Sequence, residues 1–277
     1  MNKYQPSDVL SELKDLYKKE SLIPFIGAGF SIPLDLPSWA DLIGQLGESL
    51  GYEKELFLEL GSFSQLAEFV CKYKKREWNE FLLSVSSGFN STESEQKRKN
   101  SIQHNALGEL KFKTIYTTNY DLHIEGAIKD AGRTPFSIST YEDFLSSRTI
   151  NYDCEVLKFH GTLQMQDTII LTESQYFERM NLEGAIDQKL RSDILRNSFL
   201  FIGYSFSDPN IRYIFYKLHK LREQLSKTQE ESYSYITTFG MNEIQAKLLK
   251  QWNIKVIELD PINKKQSITD LLNSLKA

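Results

Sequence analysis

Short apolar runs alternate with amphipathic stretches along most of this chain. Residues 7–20 carry Val9, Leu10, Leu13, Leu16 and Tyr17 on one face at helical spacing, with Ser7 or Asp8 placed to cap the helix. Residues 22–26 then form a compact apolar run that stops at Gly27 and reads as a buried strand. Comparable runs at 112–116, 136–138, 156–159, 168–171, 198–202, 233–237 and 255–259 predict further strands. The run at 198–202 is nearly continuous in apolar character, as expected of a strand covered on both faces. Helical patterns separate these runs: 173–197, a segment opened by Asp208 and Pro209, 242–251, and a last helix from Ser267. Aspartate suits the cap and proline the first helical position.

The stretch from Trp39 to about residue 87 predicts helix throughout. Leu42, Ile43, Leu46 and Leu50 make one apolar stripe, Leu66, Phe69, Val70 and Tyr73 a second, and Trp78, Phe81, Leu82 and Val85 a third. Residues 86–100 are polar and aperiodic and read as a loop, and 104–110 predict one more short helix. Residues 40–111 therefore read as a helical insertion between the first and second core strands. Strands alternating with helices predict an α/β fold, a mostly parallel sheet with helices on both faces, in a single domain spanning residues 1–277.

Composition narrows the partners. A chain of 277 residues, 40% hydrophobic and 25% charged, is ordinary for a soluble globule. Its net charge of -4 speaks against a dedicated nucleic-acid binder. The basic runs at 72–76 and 97–99 are short and read as solvated faces. No apolar run approaches the roughly 20 residues that cross a bilayer, and the polar first residues are unlike a secretory leader. Cys71 and Cys154 stand far apart without a ligand pattern, so no metal is predicted, and a reduced, cytoplasmic chain is expected.

Four segments follow predicted strands and read together as one dinucleotide pocket: Gly27-Ala28-Gly29-Phe30-Ser31, Thr117-Thr118-Asn119-Tyr120-Asp121, His160-Gly161-Thr162 and Gly203-Tyr204-Ser205. Ligands of open α/β sheets bind outside the carboxyl ends of strands. The glycine turn lets backbone N–H groups approach a pyrophosphate, and Ser31 adds a hydroxyl. Taken alone, a Gly-x-Gly after a strand is more often a plain tight turn. Asn119 offers a neutral amide for a ribose hydroxyl or a water, and Asp121 a carboxylate, although both residue types also sit in turns merely to bond their own backbone. His160 ends a strand beside a glycine and can accept a proton near neutral pH, or be no more than a satisfied buried histidine. His104, His123 and His219 lack comparable context.

The ordered set resembles the sirtuin superfamily of NAD-consuming enzymes, and within it the bacterial sirtuin-like branch. The resemblance includes Pro37-Ser38-Trp39, Lys158 two residues before His160, and Leu171-Thr172-Glu173 with Tyr176. It implies a Rossmann-like core that binds NAD as substrate without a metal. On that similarity His160 is the catalytic base and Asn119 orients the nicotinamide ribose. Gly27, Ala28, Gly29 and Ser31 hold the pyrophosphate side, Asp121 lies toward the nicotinamide end, Gly203 and Ser205 lie toward the adenosine end, and Thr118 also contacts the cofactor. The implied activity is an NAD glycohydrolase releasing nicotinamide and ADP-ribose, acting as an anti-phage effector that self-associates or answers to a separate regulatory protein. A non-catalytic NAD or ADP-ribose sensor is the alternative. Deacylation or ADP-ribosylation ranks lower, because no cysteine follows Cys154 to build the zinc module of deacetylating sirtuins. Further departures are Thr118 where those enzymes carry glutamine and Asp35 where the bacterial branch commonly has glycine.

Overall fold

The computed structural model describes residues 7–180, 183–204, 209–225 and 234–276. Helix α1 (Ser7–Lys18) leads into β1 (Leu22–Ile26). Helices α2 (Trp39–Glu48), α3 (Lys54–Glu59), α4 (Phe63–Tyr73), α5 (Lys75–Phe89), α6 (Thr92–Lys99) and α7 (Ile102–Glu109) follow before β2 (Thr114–Thr117). The chain continues through α8 (His123–Asp130), β3 (Pro135–Ile138), α9 (Tyr141–Ser146), β4 (Cys154–Lys158), α10 (Glu173–Met180) and α11 (Ala185–Ile194). It then runs through β5 (Ser198–Ile202), α12 (Pro209–Leu225), β6 (Ser234–Thr238), α13 (Glu243–Gln251), β7 (Ile254–Glu258) and α14 (Lys264–Ser274). Among the described residues these strands form one sheet in the order β3-β4-β2-β1-β5-β6-β7, and each pairing is parallel.

Alternation along the strands explains the layers. Leu22 and Ile26 of β1, with Leu200 and Ile202 of β5, face a cluster built with Leu13, Ala106, Leu107, Ile124, Ile128, Leu271 and Leu272. Ile23 and Phe25, with Phe199 and Phe201, face the other side, toward Ile186, Leu190, Ile194, Ile214, Phe215 and Leu249. Helices α1, α7, α8 and α14 thus cover one face and α11, α12 and α13 the other. Phe25 is the hub of an aromatic layer on the second face, 5.5 Å from Tyr116, 5.2 Å from Phe201 and 5.7 Å from Phe159 between ring centroids.

A third cluster belongs to the helices after β1. Leu42, Ile43, Leu46, Phe57, Leu66, Ala67, Val70, Phe81, Leu82 and Val85 pack together with Tyr120, Leu163, Ile169 and Leu171, which follow β2 and β4. Helices α2 to α5 therefore sit over the carboxyl ends of the strands. Helix α7, by contrast, packs on the sheet.

Several expectations are corrected. Residues 39–87 are four helices broken by turns. Phe69 and Tyr73 point to solvent, because the buried face of α4 is Leu66, Ala67 and Val70. Residues 92–99 are helical, not a loop. This helix is polar on all sides, so periodicity could not report it. Ser91 caps it by accepting from the Ser94 N–H at 3.1 Å, Lys97 pairs with Glu93 four residues earlier, and the buried Arg98 bridges Glu95 and Asp130 of α8. Residues 168–171 are not a ladder strand; Ile169 and Leu171 are buried in the helical cluster instead. The proposed Asp208 cap lies outside the described residues.

Helices α7 and α8 meet backbone to backbone at Gly108. A Cβ added there would stand 2.2 Å from the Ala127 carbonyl oxygen. Gly108→Ala gains up to about 1 kcal/mol in helix propensity. It forces two packed helices apart, which costs about 1–3 kcal/mol or more. The steric cost should win, and urea unfolding should show a net loss of stability; a more stable variant would contradict this packing.

Candidate functional site

The last residues of four neighbouring strands stand in one register row: Lys158 of β4 opposite Thr117 of β2, Thr117 opposite Ile26 of β1, and Ile26 opposite Ile202 of β5. The four motif segments leave the sheet directly after this row, all from its carboxyl edge. The chain leaves β1 toward β2 on one side and returns to add β5 on the other. The β1–β5 boundary is therefore a topological switch point, where open α/β sheets form their ligand crevice.

At that boundary the glycines act first on each other. The Gly27 N–H donates to the Ile202 carbonyl at 2.8 Å and the Gly29 N–H to the Gly203 carbonyl at 2.9 Å. Gly203 has φ +79°, and a Cβ on it would lie 2.5 Å from the Phe30 nitrogen. These glycines let two turns pack backbone to backbone, and two of the N–H groups expected to face a pyrophosphate are engaged by the carbonyls of Ile202 and Gly203. Ala28 remains exposed at the rim. The Tyr204 ring lies over Gly27, its hydroxyl donating to the Ile26 carbonyl at 3.0 Å and standing 2.9 Å from the Thr118 hydroxyl. Ser205 lies outside the described residues.

The second turn is built from its own strand. Thr117 Oγ1 donates to the Ile26 carbonyl and accepts the Asn119 N–H at 3.0 Å. Asn119 is 5% exposed; its Nδ2 donates to Ser31 Oγ at 3.1 Å, while its Oδ1 is buried without a partner. Thus Asn119 and Ser31 are in direct contact. Asp121 commits Oδ1 to the His123 N–H at 3.0 Å, opening α8.

His160 follows β4 on the adjacent strand, 4% exposed. Tyr176 of α10 meets its ring edge-on at 5.4 Å between centroids. Three residues along the same helix, the Arg179 guanidinium stands 4.4 Å over the Phe159 ring. Gly161 has φ +81° and passes so close to Thr168 that a Cβ would meet that carbonyl oxygen at 2.1 Å, which folds the chain back over the histidine. Burial, and after it the Arg179 charge, lowers the His160 pKa to about 3, so the imidazole is neutral at neutral pH.

Residues 113–257 match the model of the SIR2-like domain family. This chain belongs to the SIR2-like domain family. Its SIR2-like sequence is 25% identical to the NAD(+) hydrolase ThsA of Enterococcus faecium, over 97% of this chain and 58% of that protein. It is 27% identical to the ThsA NAD(+) hydrolase of Cytobacillus dafuensis, over 95% of this chain and 54% of the relative. The Defense-associated sirtuin 2 of Bacillus subtilis is 24% identical, over 96% of this chain and 26% of that protein. The chain thus spans little more than half the length of the ThsA relatives. A crystal structure of a Sir2 homolog–NAD complex superposes with a TM-score of 0.55 at 12% identity, covering 98% of this chain and 94% of that one, which places the SIR2-like fold.

The SIR2-like site also contains residues that sequence reasoning passed over. Gln103 of α7 is fully buried and donates from Nε2 to the Phe30 carbonyl, holding the first turn from behind. The His104 ring packs tilted against Phe30 at 4.6 Å between centroids, and His123 lies 6.4 Å from His104. Both histidines are buried, although their sequence context marked neither. Arg179 was equally invisible, and Tyr204, although it lies in the fourth motif segment, had no role there, since only the fold brings them to the histidine and the first turn.

Burial lowers His104 to about 3 as well as His160, from an ordinary value of 6.5. The unfolded chain takes up protons below about pH 6.5 while these two rings stay neutral. Their contribution to stability is complete above that pH and is lost as pH falls toward 3. By pH 5 the loss should reach roughly 2 kcal/mol for each ring. Urea unfolding at pH 7 and pH 5 measures it, and His104→Phe should remove about half of the difference. A parent whose stability is flat over that interval would show that the rings are solvated.

Proposed function

We propose that this protein is an NAD glycohydrolase that cleaves NAD to nicotinamide and ADP-ribose. The observation that carries the reading is that Asn119 and His160 each follow the end of one of two adjacent, paired strands, with Asn119 Oδ1 buried and unpartnered. The NAD(+) hydrolase names of relatives aligned over nearly the whole chain support it. Nicotinamide leaves as a neutral ring from a cationic one, so it needs little acid assistance. As the C1′–N bond breaks, positive charge moves onto the ribose, as in glycoside cleavage. Water forms the new C1′–O bond and gives its proton to the neutral His160 imidazole. Asn119 Oδ1 accepts from a ribose hydroxyl or from that water. The Ala28 N–H and the Ser31 hydroxyl serve the pyrophosphate side. Thr118 and Asp121 serve the nicotinamide end. Gly27 and Gly29 shape the first turn, and Gly203 and Ser205 serve the adenosine end.

A defence role, acting in the cytoplasm by depleting NAD, extends the same reading and draws on the name of the Bacillus subtilis relative. Self-association and control by a separate regulatory protein complete the proposal. One observation favours a second reading, a sensor that binds NAD or ADP-ribose without turnover: Tyr204 covers Gly27 where a dinucleotide would lie against β1.

The two readings separate on incubation with NAD. Under glycohydrolase chemistry the parent releases nicotinamide, and His160→Ala and Asn119→Ala each reduce the rate by ~10²–10⁴ with little change in Tm. Because His160 stays neutral down to about pH 3, the parent rate should show no acid limb near pH 6.5. Near-parent release by His160→Ala removes that residue from the mechanism. NAD-dependent thermal stabilisation with no nicotinamide formed favours the sensor.

A further inference from the structure

Lys158 ends β4 and is 0% exposed, an ammonium group taken wholly out of water. Register fixes its direction. It shares the last row of the sheet with Ile26 and Ile202, which face the α7–α8 side. From there its Nζ donates to the backbone carbonyl of Asp121. Glu125 of α8 supplies the countercharge, with Oε1 at 3.5 Å, and that oxygen also accepts from Ser137 of β3 at 2.7 Å. The second Glu125 oxygen is buried without a partner.

A buried ion pair with one carboxylate oxygen unsatisfied is a poor stabilising device, since desolvation offsets most of the Coulomb attraction. Its placement is more informative than its strength. Lys158 stands two residues before His160, which follows the same strand, and the carbonyl that it holds stands two residues after Asn119. One side chain therefore ties the strand that carries the histidine to the turn that carries the amide. The turn's other anchors are Thr117 Oγ1 and Ser31 Oγ in its first half and, in its second, the Tyr120 hydroxyl on the Ile170 carbonyl, Asp121 Oδ1 on the His123 N–H and Asn90 Oδ1 on the Leu122 N–H; among these side-chain contacts Lys158 is the one that comes from β4.

We propose that Lys158 is a positioning residue, which through the Asp121 carbonyl sets the place of Asn119 relative to His160. Asn119 contacts reach the substrate only if the turn is held, and a displacement of about 1 Å at a reacting group can cost 10²-fold in rate. The activity arm of the test rests on the glycohydrolase reading; the exchange arm does not.

The experiment compares the parent with Lys158→Met/Glu125→Gln, which removes both charges at nearly constant volume, and with Glu125→Gln alone. In the double variant Tm should stay near the parent value. Amide hydrogen exchange over residues 118–122 should become several-fold faster. The kcat for nicotinamide release should fall ~10–100-fold with a much smaller change in KM, the signature of lost transition-state alignment. Glu125→Gln keeps Lys158 on the Asp121 carbonyl and should leave both exchange and turnover close to parent. Parent-like exchange at 118–122 in a folded double variant overturns the proposal, as does parent-like turnover there. If the double variant fails to fold, the single variant decides: fast exchange and lost turnover in Glu125→Gln would assign the effect to the ion pair and not to the lysine–carbonyl contact. A parent that never releases nicotinamide sinks the glycohydrolase reading and leaves the exchange comparison to judge Lys158.

Discussion

Parallel hydrogen bonding between β4, β2, β1 and β5 is the constraint on which the site depends. In a parallel sheet every strand must end on the same edge, and the ladder sets the level at which each one ends. Here the row Lys158, Thr117, Ile26 and Ile202 puts four chain exits side by side. Segments separated by up to 176 positions in the chain, from Gly27 to Gly203, become neighbours through backbone pairing alone. Side chains then decide what each exit does. Glycines allow the first and last turns to touch, a threonine and a serine hold the asparagine, and a lysine holds the far end of its turn.

Burial supplies the electrostatics. The aromatic layer around Phe25 lies beneath Phe159 and Tyr204, and the helical cluster above reaches Tyr120, Leu163, Ile169 and Leu171. The histidine is thus enclosed between apolar groups below and helices above. The same enclosure keeps its imidazole neutral and strengthens every dipole directed at it. Helices α2 to α5 pack over the same edge of the sheet from which the four motif segments leave.

Polar groups that stability alone would not place inside are concentrated around these strand ends. Asn119 Oδ1, Gln103 Oε1, His104 Nε2, His123 Nε2 and Glu125 Oε2 are buried without hydrogen-bond partners. Folding normally satisfies such atoms, and local rules tend to be broken where function requires it. Most of these residues lie behind or within the turns after β1 and β2, so the conflict with stability falls on the same region as the four motifs.

The apolar runs determined much of the architecture in advance. Residues 22–26 and 198–202 are strands at the expected positions, since a five-residue run buried on both faces has few other uses. The motif order also marked strand ends that the fold brings to one edge of the sheet, because glycine, asparagine and histidine at strand ends are legible one segment at a time. Other features depended on contacts between distant segments. Helix α6 carries no apolar stripe and is held by a cap, charge pairs and a buried arginine reaching α8. The stretch 168–171 is apolar enough for a strand, yet it packs into the helical cluster and forms no ladder. Gly27 and Gly29 read as donors to an anion, yet their N–H groups meet the carbonyls of Ile202, at the end of β5, and of Gly203 just after it. Hydrophobic periodicity reports how a segment meets the core, so it reveals the strands. Which strands become neighbours, and which polar groups face each other across their ends, follows from sheet order and register, and only the folded chain decides those.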